Sequence, residues 1–249
     1  MGMHSIIDPE GVFGLRRIRF PALLLLCALL FSSARAAALP FRPASEGDAR
    51  RAALSLFCRC AFHPEYGEDE EEPATLIRWE QEITLWAGGA PTREDLAVID
   101  GFLAELREKV PGLPMIRRVR KDTDALIRVW YIPEYLMGHY LEGYVDGNWG
   151  FFTCEHPKGP IVSARIAIAA DAAEQPERNH LFLEELVGAL GLPGDHLVYS
   201  DSILYDPWTV TQSLSDVDWR MLNLLYSPAV SVGMTESQAR EALKTEMGI

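Results

Sequence analysis

The chain has 249 residues, of which 48% are apolar, 10% aromatic and 24% charged, and its formal net charge is −13. This composition excludes a disordered chain and leaves room for one domain of ordinary size plus appendages. So acidic a surface is ill suited to nucleic acid or to anionic lipid, and neither is expected as a partner.

In chain order, the first pattern is one of export. Arg16, Arg17 and Arg19 form a basic stretch, and Pro21 to Phe31 is an apolar run too short to span a bilayer comfortably. Ala34 and Ala36 then offer the small residues of a cleavage site. The reading is a signal peptide over residues 1–36, with a retained membrane anchor as its rival. It implies a periplasmic or secreted protein with no membrane span after cleavage. Cleavage removes four basic and two acidic residues, a net +2, so the formal charge moves from −13 to −15.

Residues 37–75 read as an N-terminal arm. Ser45 can cap a helix over "SEGDARRAALSLF", in which Ala49, Ala52, Ala53 and Leu56 share a face. The run "GEDEEEP", Gly67 to Pro73, reads as a solvated linker, a calcium or basic-partner site being the other reading. In an oxidising compartment two of Cys58, Cys60 and Cys154 can pair. Cys58 and Cys60 are too close in sequence for an easy mutual bridge, so a bond from Cys154 to one of them is preferred. The three thiols are also a weak zinc set.

Residues 76–249 read as an α+β domain. "TLIRWEQEITLWAGG" alternates like a strand and closes on Gly88 and Gly89. Thr92 caps a helix whose Leu96, Ile99, Phe102, Leu103 and Leu106 fall at helical spacing, and Pro111-Gly112 ends it. Four strands follow, at "PMIRRV", "ALIRVWYI", "WGFFTCE" and "PIVSARIAIAA", and then a helix over residues 176–190. Ser215 and Thr235 each cap a further helix. One strand, a long helix, four strands and a second long helix predict a mixed sheet with helices on one face.

The candidate chemistry lies in "HLFLEELVGALGLPGDH", His180 to His196. On a helix His180, Glu184 and Gly188 share one face. The stretch resembles the helix of zinc proteases of the zincin type, in which two histidines four residues apart bind the metal. Aligned on "ALGL", Glu184 stands at the first histidine, Glu185 at the catalytic glutamate and Gly188 at the second histidine. Asp195 or His196 then falls near the third ligand. Gly188 has no side chain, so a three-histidine site cannot be built. A shifted site would use His180, Glu184 and Asp195 or His196 as ligands for zinc or another divalent metal, with Glu185 as the base that activates water. The competing reading leaves His180 and Glu184 as a solvated pair with no metal. A third buries Glu184 or Glu185 against Arg165 or Arg178. Ser200 and Ser202, with Asp201, lack the G-x-S-x-G elbow of a hydrolase, and phosphate-binding and dinucleotide loops are missing.

The blocks "EELVGALGLPGD", "DSILYD", "LSDVDWRMLNLLYSPAV" and "GMTESQARE", from Glu184 to Glu241, resemble the bacterial family of domain of unknown function 2927. The resemblance covers most of residues 75–243. It implies a zincin-like fold with the acidic pair and "LGLP" where a protease has its metal helix, and it lends no activity. The resulting expectation is an exported binding or envelope-associated module with a degenerate metallopeptidase-like fold. Its partner would be an unknown protein or peptide, and it would need no cofactor. The alternative is a metal-dependent hydrolase, a peptidase with an atypical His/Glu/Asp site.

Overall fold

Ser45 does cap a helix, and its hydroxyl accepts the Asp48 amide at 3.1 Å. The helix, α1, runs Glu46–Phe62, past the expected end at Phe57, and its Phe57, Cys58, Cys60 and Phe62 are buried. Residues 38–64, 74–157 and 159–249 are described by this computed structural model. The expected signal peptide and the acidic run Gly67–Pro73 lie outside them.

Strand β1 is Ile83–Gly89, shorter than the alternation suggested. Leu76 and Trp79 ahead of it are buried as a core-lining segment, and the Trp79 indole N–H donates to the Ala189 carbonyl at 2.9 Å. Helix α2, Arg93–Lys109, opens with a capping box between Thr92 and Asp95. Strands β2 (Ile116–Arg118) and β3 (Ile127–Ile132) come next, followed by a single turn, α3 (Met137–Tyr140). Strands β4 (Gly150–Glu155) and β5 (Ser163–Ala169) lead into α4, Gln175–Ala189. Helices α5 (Asp216–Leu225) and α6 (Glu236–Met247) complete the chain, with capping boxes at Ser215 and Thr235.

The sheet order is β2-β1-β3-β5-β4. The first four strands are parallel, and β4 runs antiparallel to β5 at the edge. The fold is therefore α+β around one mixed sheet. Successive side chains of a strand point to opposite faces. Ile127, Val129, Tyr131, Ile166 and Ile168 join the long helices in the main core. Ile132, Ala167, Ala169 and Phe151 face the other way and are covered by Met137 and Leu141. The long helices thus pack on one side, and a short segment screens only part of the other. Among the described residues no helix is long and apolar enough to cross a membrane.

Two side-chain expectations are corrected. Cys58, Cys60 and Cys154 are free thiols, not a Cys154 disulfide. Cys58 lies near the charges of Arg240 and Glu236, and Cys60 near Asp195 and Asp218, whereas the Cys154 thiol donates to the Ala189 carbonyl at 3.7 Å. Burial pushes the Cys58 thiol up to about 11, Cys154 to about 12 and Cys60 further still, so none is a reactive thiolate.

Nor does Arg178 hold Glu184 or Glu185; it pairs with Asp95, which is fully buried. Its other donors reach the carbonyls of Ala90 and Ala170, and its guanidinium lies 5.0 Å from the Tyr131 ring centroid. Asp95 also accepts from the Thr92 amide and from Gln175. Burial acts to raise its pKa, but the hydrogen bonds and charge of Arg178, with Thr92 and Gln175, win and lower it. Arg165 is left facing Glu155 at 3.8 Å on the surface.

Candidate functional site

Helix α4 is fixed at both ends by its own sequence. At the start, Glu174 and Glu177 form a reciprocal capping box, and Pro176 occupies the first turn, where its missing N–H costs nothing. At the end, orphan carbonyls need donors. Trp79 supplies one to Ala189, and the Tyr226 hydroxyl supplies one to Leu190 at 2.8 Å. Tyr226, which caps the end of α5, and the "LGLP" turn are therefore in direct contact. Gly191 has φ +121°, and a Cβ there would sit 2.5 Å from the Ile77 carbonyl, so only glycine fits.

Between these ends α4 lies against β4. A Cβ on Gly188 would fall 2.4 Å from the Phe152 ring, so that ring occupies the room a side chain at 188 would need. One turn earlier, a Cβ on Gly150 would meet Glu185 Oε1 at 2.4 Å. The Glu185 carboxylate thus sits over the first residue of β4, in a gap that glycine leaves.

His180 is buried, at 3% exposure. Its Nδ1 lies 3.0 Å from the Thr211 carbonyl, which can only accept, so Nδ1 carries a proton. Nε2 then faces Glu184 Oε2 at 3.4 Å, an ion pair when the ring takes a second proton. Trp208, 56% exposed, stands edge-on to His180, and Trp149 stands edge-on to Trp208 at 5.8 Å. His180, Glu184 and Glu185 with these two indoles make one wall beside the start of β4.

The other two sequence candidates are placed elsewhere. Asp195 lies beside α1, where its carbonyl accepts from Arg59 and its charge acts on Cys60. His196 is buried, with both nitrogens engaged. Nδ1 accepts from the Val198 amide at 3.2 Å, so Nε2 carries the proton and donates to Ser202 Oγ at 3.0 Å. Ser202 donates in turn to Asp218, at 2.5 Å. Asp218 also accepts from the Ile203 amide and from the amide and hydroxyl of Ser215. This chain of His, Ser and Asp is not a nucleophile array. The histidine donates to the serine and cannot take its proton, and Ser202 is fully buried. Its effect is to tie the turn after α4 to the start of α5. Desolvation holds His196 down to about 4, so it is neutral at ordinary pH.

Among the described residues no three His, Cys, Asp or Glu side chains are grouped so as to hold a metal. His180 and Glu184 supply two donors, and the third is missing because Asp195 and His196 are committed elsewhere. The residues present do not fit the zinc site of the proteases.

Sequence reasoning missed β4 as part of this site. Trp149 C=O accepts from Ala169 and Glu155 C=O from Val162, so the odd residues of β4 bond to β5. By alternation, the main-chain groups of Gly150, Phe152 and Cys154 point to the edge of the sheet, where no further strand pairs among the described residues. Trp208, five residues beyond the "DSI" turn, carried no motif that would have placed it here.

The fold and site define an α+β protein with a mixed sheet and an acidic, aromatic wall on the helix that follows its last strand. The family described as "Protein of unknown function (DUF2927)" matches residues 51–245, and the chain belongs to it. No curated protein matches the chain.

Proposed function

We propose that this protein is an exported, non-catalytic binding module built on a zincin-like shell, and that it holds an extended peptide along the edge of β4. The observation that carries this reading is the contact of Gly188 with Phe152. A packed ring fills the place a second metal ligand would need, on an edge strand whose outer side pairs with no other strand among the described residues. An extended chain can add to such an edge through main-chain hydrogen bonds, with side pockets giving specificity. Trp149 and Trp208 supply apolar surface, and Glu184 and Glu185 supply negative charge beside it. A basic residue in the peptide would complement them. The antiparallel edge strand, the helix after the last strand and the glycine turn at Gly191 support the kinship with zincins. The basic, apolar and small-residue pattern of residues 1–36 supports export.

The test is amide chemical-shift mapping with a degenerate pool of basic hexapeptides. Shifts centred on Gly150, Phe152 and Cys154, lost in Phe152→Pro, are expected. Shifts scattered over other surfaces would contradict the reading.

One observation favours a second reading, a metal-dependent hydrolase. A metal-binding histidine usually gives its other N–H to a carbonyl or carboxylate. His180 does this with Thr211, presenting Nε2 beside Glu184. Metal content of protein purified without chelator, compared with His180→Ala, separates the two. One bound metal per chain that the substitution removes would favour the hydrolase.

A further inference from the structure

The face of the sheet turned away from the long helices carries a second set of groups that the α4 wall does not use. The alternation of β1, β3, β5 and β4 brings Trp86, Arg128, Arg165 and Thr153 into one row, each opposite the next across neighbouring strands. The adjoining row is Gly88, Trp130, Ala167 and Phe151. Met137 and Leu141 cover the second row toward β4, and the first row lies beyond that cover.

Three features of this row need a reason. First, Trp86 lies flat. A Cβ on Gly88 would fall 1.9 Å from the end of the Trp86 ring, so the indole rests on the bare backbone of Gly88 and turns its other face outward. Trp130 meets it edge-on at 6.1 Å, and Tyr140 leans on Trp130 at 5.3 Å, which props the ring in that pose. Second, Arg128 is half-buried, and among the described residues it has no hydrogen bond, ion pair or ring contact. Third, Arg128 stands directly opposite Arg165, whose one carboxylate, Glu155, is 3.8 Å away and 64% exposed. Like charges opposite one another in a sheet are destabilising, and a half-buried cation without a partner costs more. In a chain of net charge −13, two adjacent arginines, one with no ion pair among the described residues and one with only an exposed carboxylate at 3.8 Å, run against the rest of the surface.

An anion placed between them would remove both costs. Guanidinium groups match the planar, two-oxygen geometry of a carboxylate. The outward face of Trp86 suits a flat apolar surface of similar width, which the C–H face of a pyranose ring provides. A long polyanion would be repelled by the rest of this acidic protein, whereas a compact ligand with one charge per ring would not. We propose that this face binds an acidic saccharide, with a sugar ring stacked on Trp86 and its carboxylate held by Arg128 and Arg165.

The site is on the opposite side of the sheet from α4, so it stands or falls separately from the peptide edge. The experiment titrates the full chain with three probes: a galacturonic acid dimer, its uncharged parent galactobiose, and an oligothymidylate. Tryptophan fluorescence and saturation-transfer NMR give the readout. Saturable binding of the uronate dimer is expected, weaker at high salt and at least tenfold weaker in Arg128→Gln and in Trp86→Leu. Arg165→Gln, at the more exposed position, supplies the arginine test if Arg128→Gln does not fold. Galactobiose should bind at least tenfold more weakly than the uronate. Equal binding of the neutral sugar, tighter binding of oligothymidylate, uronate binding that the substitutions leave unchanged, or no uronate binding at millimolar concentration would each overturn the proposal.

Discussion

His180 and His196 bracket the same helix and turn, and both are buried, yet their surroundings give them opposite chemistry. His196 spends both ring nitrogens on neighbours within six residues and is locked neutral. His180 spends one nitrogen on a carbonyl and turns the other toward a carboxylate at the mouth of an aromatic wall. Position in a motif does not decide what a histidine does; the partners of its two nitrogens do. His196 belongs to the scaffold, and His180 belongs to the surface where function is proposed.

That contrast can be broken most severely at the scaffold end. Asp218→Ala removes the acceptor of four donors and leaves Ser202, Ile203 and Ser215 unmatched in the interior. A loss of about 4 kcal/mol is expected in urea unfolding, since unsatisfied buried groups cost 1–3 kcal/mol each and partly relax.

Next comes the proton linkage of His196. Its folded pKa, about 4, is below the unfolded value of 6.5, so the unfolded chain binds the proton first as pH falls. This contribution is whole above pH 6.5, declines as pH drops toward 4 and is flat below. The loss amounts to about 3 kcal/mol over that window. His196→Gln, which keeps a donor for Ser202 but cannot titrate, should flatten stability against pH there.

Gly188→Ala sharpens the boundary between scaffold and site. The new methyl collides with Phe152, and a loss of about 2 kcal/mol is expected from overpacking. Phe152→Leu should recover most of it in the double variant, because the two positions are in contact. The smallest effect belongs to the functional histidine. His180→Phe keeps the ring against Trp208 and loses one hydrogen bond to Thr211, a change of about 1 kcal/mol by thermal or urea unfolding.

Much of the scaffold was legible because its signals are local. Thr92, Ser215 and Thr235 announce their helices through bonds to residues three positions on, and β3 and β5 announce themselves by alternation. The acidic pair and the Gly191 turn lie on a helix and turn that the sequence did delimit. What escaped was pairing at a distance. Nothing near Arg178 points to Asp95, 83 residues earlier, and nothing near Gly188 points to the ring of Phe152. The cysteines misled for the same reason: spacing gives no sign that Cys58 and Cys154 serve different neighbours. In the segment 76–82 alternation read as strand, but Leu76 is held by burial and by main-chain bonds to Gly233 and Met234, and Trp79 by the Ala189 carbonyl, outside the five-stranded sheet.

The central claim is that α4 keeps the place of a metal helix in the fold while its side chains serve binding. Metal analysis after equilibration with one equivalent of zinc and gel filtration tests it most directly. The account predicts that the wild-type chain and His180→Ala retain the same substoichiometric trace. One zinc per chain in the wild type, lost in His180→Ala, would contradict it.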